Sequence, residues 1–134
     1  MLPKGYNQDM TTSRSIIPIY TTRGDAEAFL VYPHLYNRLG EWIGWVTPKR
    51  EVYSVLGHYV GYLGDGPRIL RKRVIEVSKA NVKPPRKPAR VYPPATIPLA
   101  PMMAELYHDT IDILLDEPEK LHTADSGEFR EDLD

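Results

Sequence analysis

The chain has 134 residues, room for one domain with tails. It contains no cysteine, which excludes a disulfide framework and a thiolate zinc site, and its apolar runs are too short for a membrane-crossing helix. The formal net charge of −1 hides an asymmetry. Residues 1–67 are balanced, residues 68–90 hold nine basic residues against one acid, and residues 105–134 hold eleven acids against two basic residues. Such blocks mark tails or interaction segments.

Residues 1–15 are polar and expected to form a mobile N-terminus. They lack the basic start and apolar run of a secretory signal, so a cytoplasmic location without a membrane partner is expected. From residue 16 to 77 a twelve-residue pattern recurs in tandem. It reads IYTTRGDAEAFL from Ile19, LYNRLGEWIGWV from Leu35 and VYSVLGHYVGYL from Val52. A fourth copy is due at Ile69, where Ile69 and Leu70 fit and the rest fades. Fixed-period repeats signal stacked or radial assemblies. Each copy predicts two short strands around a turn, with Gly24, Gly40 or Gly57 where a positive φ is needed. Strict alternation along the second strand would put Ile43 with Trp45 on one face, and Trp42 with Gly44 and Val46 on the other. The small residue in its middle, Ala28, Gly44 or Gly61, leaves room for a close neighbour. One hairpin cannot persist alone in water, so the copies are expected to close around an axis, with Ile69 to Val77 supplying the fourth.

Residues 78–101 then form a basic, proline-rich arm. Seven prolines between Val82 and Pro101 exclude a helix interior or central strand and predict extended chain. Pro101 suits a helix start. Met103, Leu106, Tyr107, Thr110, Ile113 and Leu114 follow at three- and four-residue spacing, predicting a short amphipathic helix over residues 102–117 that Pro118 ends. Residues 118–134 read as an acidic disordered tail.

The Tyr-x-x-x-Gly-x-x-x-Gly-aromatic spacing and its tandem copies resemble the four-fold beta flower family of small bacterial proteins, over roughly Ile19 to Arg73. The resemblance implies a fold and no activity. Two positions depart from the pattern: Ala28 replaces glycine in the first copy, beside Glu27 on an otherwise aliphatic face, and Val74 replaces glycine in the fourth.

Three surfaces carry candidate chemistry. Trp42, Trp45, Tyr59 and Tyr62, with Tyr36 and Tyr53, form an aromatic set that could hold a ligand, as aromatic hairpin repeats in choline-binding proteins hold quaternary ammonium groups. A small β-repeat also needs such rings simply to fill its interior, and that reading is preferred. Arg68, Arg71, Lys72 and Arg73 are candidate phosphate contacts, although no nucleic-acid-binding motif accompanies them. Met103, Leu106, Tyr107, Ile113 and Leu114 are the candidate docking residues of the arm and helix. His34, His58, His108 and His122 lack metal-ligand spacing, and no nucleophile elbow or phosphate-cradling loop is present; no catalytic residue, metal or cofactor is expected. The reading is therefore an all-β radial array of hairpins serving as the scaffold of a non-enzymatic interaction or assembly module. Its partner would be a protein or a second copy. A small-ligand or nucleic-acid binding module is the alternative.

Overall fold

Each copy of the pattern becomes a hairpin, and the hairpins join edge to edge. The computed structural model of the chain describes residues 15–74 and 79–124. The expected mobile N-terminus, residues 75–77 of the fourth repeat and most of the acidic tail lie outside the described residues. Strands β1 (Ile17–Tyr20) and β2 (Ala26–Val31) form the first hairpin, β3 (His34–Tyr36) and β4 (Trp42–Val46) the second, β5 (Glu51–Ser54) and β6 (Tyr59–Leu63) the third. Strands β7 (Ile69–Lys72) and β8 (Thr110–Asp112) complete an eight-stranded antiparallel sheet in which each strand pairs with the next along the chain. The sheet curls until its first hairpin reaches its last. The Tyr20 amide donates to the Pro67 carbonyl (2.7 Å), and Thr22 bonds to Asp112 of β8.

The register repeats from hairpin to hairpin. Ile19 faces Ala28, Leu35 faces Gly44 and Val52 faces Gly61; one step nearer the turn, Tyr20 faces Ala26, Tyr36 faces Trp42 and Tyr53 faces Tyr59. Glu27, Ile43 and Val60 are thus extra residues, each marking a β-bulge at the same place. This corrects the alternation expected along the second strand. A bulge resets the parity of side-chain direction, so Trp42 joins Trp45 while Ile43 joins Val46.

The result is a layered packing. Ile19, Leu35, Val52 and Ile69, the four pattern starts, lie buried together with Leu30, Ile43, Val46 and Val60 in an aliphatic core. On the other side Tyr36, Trp42, Trp45 and Tyr53 form an aromatic layer. The Trp45 and Tyr53 rings stack at 5.4 Å, an offset geometry favourable to aromatic pairs. Close approach explains the small central residue. A Cβ on Gly44 would strike the Tyr53 carbonyl of the next hairpin and crowd Leu121, and one on Gly61 would strike the Leu70 carbonyl.

Two expectations for the C-terminal half are corrected. The fourth hairpin takes its second strand from Thr110–Asp112, with Leu70 facing Asp112 and Lys72 facing Thr110, rather than from the residues just after β7. Strand β7 would otherwise be an open edge, and pairing it satisfies backbone groups while burying Ile111. The helix expected over 102–117 shrinks for the same reason to α1 (Ile113–Asp116). The chain must be extended through 110–112 to enter the sheet. A 3₁₀ turn (Pro118–Lys120) follows, and Leu121 is buried in the aliphatic core, so the start of the expected disordered tail is ordered by apolar burial.

Candidate functional site: a strap around four hairpins

The turns of the first three hairpins are built in the same way. Thr21, Asn37 and Ser54, which follow the pattern tyrosines, each turn a side-chain oxygen onto two backbone N–H groups of their own turn. The donors are the amides of Arg23 and Asp25, of Leu39 and Glu41, and of Leu56 and His58. Short polar side chains of this type cap turns by imitating backbone. The turn then needs a residue at positive φ, and Gly40 (φ 83°) and Gly57 (φ 88°) supply it. In the fourth copy Arg71 occupies the capping position and cannot accept; its guanidinium instead makes a two-pronged pair with Glu117 (2.8 and 3.1 Å).

The proline-rich arm is a strap laid over these turns. The Val82 amide donates to the Gly57 carbonyl (2.9 Å) and the Val91 amide to the Gly40 carbonyl (3.1 Å). Ala100 lies against Gly24, and the Tyr20 hydroxyl donates to the Pro98 carbonyl (2.7 Å). The Asp109 carbonyl accepts from the Arg73 amide (2.6 Å) at the fourth hairpin. The strap therefore meets hairpins three, two, one and four in turn, at residues 82, 91, 100 and 109. The interval is nine residues at every step. A trace of this period is present in the sequence as Val82-Lys83-Pro84-Pro85 and Val91-Tyr92-Pro93-Pro94. Glycine is required beneath the strap: a Cβ on Gly40 or Gly57 would collide with the Val91 or Val82 carbonyl.

A polar network joining two buried charges through an exposed threonine closes the circle. The Thr22 hydroxyl donates to Asp112 Oδ2 (2.7 Å) and accepts from Arg68 Nη1 (3.2 Å). Arg68 Nη2 donates to the Ala104 carbonyl (2.8 Å). Arg68 is 4% exposed and Asp112 is buried too, so each offsets the charge of the other through one hydroxyl. Arg68 is thus a ring-closing residue, not an exposed phosphate contact. The other three candidates are also engaged. Arg71 holds Glu117, and this hydrogen-bonded pairing keeps the carboxyl below its ordinary pKa. Lys72 bonds Asp109 (3.1 Å), which raises the amine and lowers the carboxyl. Arg73 Nε donates to the His108 carbonyl (3.1 Å). Lys79 pairs with Glu51 (2.6 Å), likewise raising one pKa and lowering the other.

The aromatic candidates divide by depth. Trp42 and Trp45 are buried, while Tyr59 and Tyr62 are half-buried. Burial pushes up the hydroxyl pKa of Tyr59, as it does that of Tyr53. Trp45 and Tyr62 occupy equivalent register positions, each facing the next hairpin at Tyr53 and Leu70. The docking candidates divide as well. Ile113 and Leu114 dock within the chain, in the aliphatic core. Met103 and Leu106 line an open cleft of about 770 Å³ between the strap and the third and fourth hairpins, together with Tyr62, Arg50 and Arg68. Tyr107, at the rim of that cleft, is 78% exposed.

The repeated register, the shared bulge and the four hairpins around one core agree with the comparison to known families. A family model described as 4-fold beta flower protein matches residues 17–111, from the first strand into the last. The chain belongs to the 4-fold beta flower family. No significant match was found among curated proteins or among solved structures. In this beta flower the matched span takes in the strap as well as the hairpins. No described helix is long and apolar enough to cross a membrane. No cluster of three or more His, Asp or Glu able to hold a metal ion occurs among the described residues.

Proposed function

We propose that this beta flower is a non-enzymatic, cytoplasmic interaction module in which the hairpins are the scaffold and the strap is the docking segment. The observation that carries this reading is the outward side of the strap. Leu99 is 94% exposed, Met102 fully exposed and Tyr107 78% exposed, although the backbone between them is tied to the scaffold at both ends. Met102 and Tyr107 border one cleft and Leu99 another, and large apolar side chains held in water along one segment favour an interaction surface. A strap ordered in advance by prolines and hydrogen bonds loses little entropy when a partner covers it. The fitting partner is a protein with shallow apolar pockets for these three side chains, and Met103 and Leu106 beneath them can adapt to its shape.

The test replaces Leu99 and Met102 by aspartate and compares both proteins carrying a photo-crosslinker at Tyr107. The unsubstituted chain is expected to give discrete crosslinked species in its native cell, and sedimentation of the pure protein distinguishes a second copy from a different partner. The double variant should melt normally and lose those species. Retention of every crosslink and of the sedimenting mass by the folded double variant would overturn the proposal.

A further inference from the structure

The basic block at residues 68–90 separates into two halves in the folded chain. Its first half is consumed internally: Arg68 in the ring closure, Arg71 on Glu117, Lys72 on Asp109 and Lys79 on Glu51. Its second half is not. Lys83, Arg86, Lys87 and Arg90 are all exposed, and none forms an ion pair with a described residue. Arg90 donates to the Leu39 carbonyl (2.8 Å), which fixes its direction without neutralising it. Residues 79–91 contain no acid. Among the described residues, Glu41 shares a small pocket of about 210 Å³ with Lys87 and Arg90 and already accepts from the Asn37 side chain.

These four cations sit on a held backbone. Val82 and Val91, on either side of them, are anchored to Gly57 and Gly40, and Pro84, Pro85 and Pro88 fix φ between the anchors. The next residue, Tyr92, presents a ring that is 82% exposed. A cationic track with an open aromatic face beside it is the arrangement that reads single strands. Phosphates follow the charges, and an unpaired base stacks on the ring. A duplex hides its base faces, and this part of the strap has no helix to enter a groove.

We propose that the strap segment Lys83–Tyr92 binds single-stranded nucleic acid, with backbone phosphates on Lys83, Arg86, Lys87 and Arg90 and a base on Tyr92.

Fluorescence anisotropy of the full-length chain with labelled oligothymidylate tests this across about 50 to 200 mM salt. Four neutralised phosphates predict a slope of log affinity against log salt of about −2.8, so doubling the salt weakens binding about sevenfold. Changing Lys83, Arg86, Lys87 and Arg90 to glutamine should weaken binding at least tenfold and flatten the slope. Tyr92→Ala should weaken binding about fivefold or more and leave the slope unchanged. Lys83, Arg86, Lys87, Arg90 and Tyr92 lie outside the core clusters, so an unchanged melting curve accompanies each change. No binding by the full-length chain at low salt overturns the proposal. So does binding that the four-glutamine variant retains, a duplex bound as tightly as the single strand, or strap-dependent binding of phosphatidylserine vesicles without oligothymidylate binding.

Discussion

Alanine substitution at the three equivalent turn glycines separates two costs that a single variant would merge. Gly24, Gly40 and Gly57 share a positive φ of 83–93°, and a side chain there costs about 1–2 kcal/mol through contact with the following carbonyl. Gly24→Ala should show that cost alone, because its Cβ would lie 3.8 Å from Ala100 Cβ, an ordinary contact. Gly57→Ala adds a collision with the Val82 carbonyl. The strap must lift there, and the Val82 amide then loses its bond to the Gly57 carbonyl, worth about 1 kcal/mol. Gly57→Ala, and by the same geometry Gly40→Ala, should therefore cost about 2–3 kcal/mol, roughly 1 kcal/mol beyond Gly24→Ala. Urea unfolding at matched slopes measures the differences, and amide exchange at Val82 and Val91 reports whether the strap lifts locally. Equal destabilisation at all three sites, with both strap amides still protected, would refute the docking of strap on turn.

Two further outcomes follow from the polar contacts. Thr22→Val keeps the side-chain volume but removes the hydroxyl that Arg68 and Asp112 share, and should lower stability by about 2 kcal/mol. Thr22→Ser should restore it, and a Val variant as stable as the parent in thermal unfolding would show that the ring closes without this link. For Arg71 and Glu117 the sign follows from the lowered carboxyl pKa. The stabilisation is present above the ordinary glutamate pKa and is lost as pH falls through the depressed folded value. Arg71→Gln should cost about 1 kcal/mol near neutral pH, since the pair is only partly shielded from water, and the gap to the parent should shrink below pH ~4.5. A gap independent of pH from 7 to ~3 would assign the effect of Arg71 to packing.

The hairpins were legible because their determinants are local. An aliphatic-tyrosine start, a turn glycine and a small central residue each answer a constraint within one copy. The polar cap at Thr21, Asn37 and Ser54 belonged to the same pattern, but three different residue types hide one shared property, a short side chain ending in an acceptor oxygen. The bulge was invisible for another reason. Alternation assigns faces by counting, and one extra residue at Ile43 or Val60 changes the count without changing composition. Strand β8 reads as helix in the sequence because Thr110 falls at helical spacing with Ile113 and Leu114, which do lie in α1. What holds Thr110–Asp112 extended is the open edge of β7, a partner about forty residues back in the chain. Similarly, the fate of Arg68 depends on Thr22 and Asp112, which no local window contains.

The nine-residue step of the strap connects fold to function most directly. An extended proline-rich chain has three residues per turn, so nine residues return the same side to each hairpin turn. Val82, Val91 and Ala100 meet that requirement as contact points, and the residues between them are released from it. Those intervals differ in chemistry. The first, from Val82 to Val91, carries Lys83, Arg86, Lys87 and Arg90 in water. The stretch past Pro98 carries Leu99, Met102 and Tyr107. A scaffold that used the strap only to seal its aromatic layer would have no need to hold four unpaired cations and three large apolar side chains outward. Because hydrogen bonds to the hairpins hold each stretch, the two keep a fixed order along the strap. A partner covering the apolar arc and a polyanion on the cationic arc would therefore meet the same rigid backbone, and each can be removed by substitution without disturbing the contact points beneath.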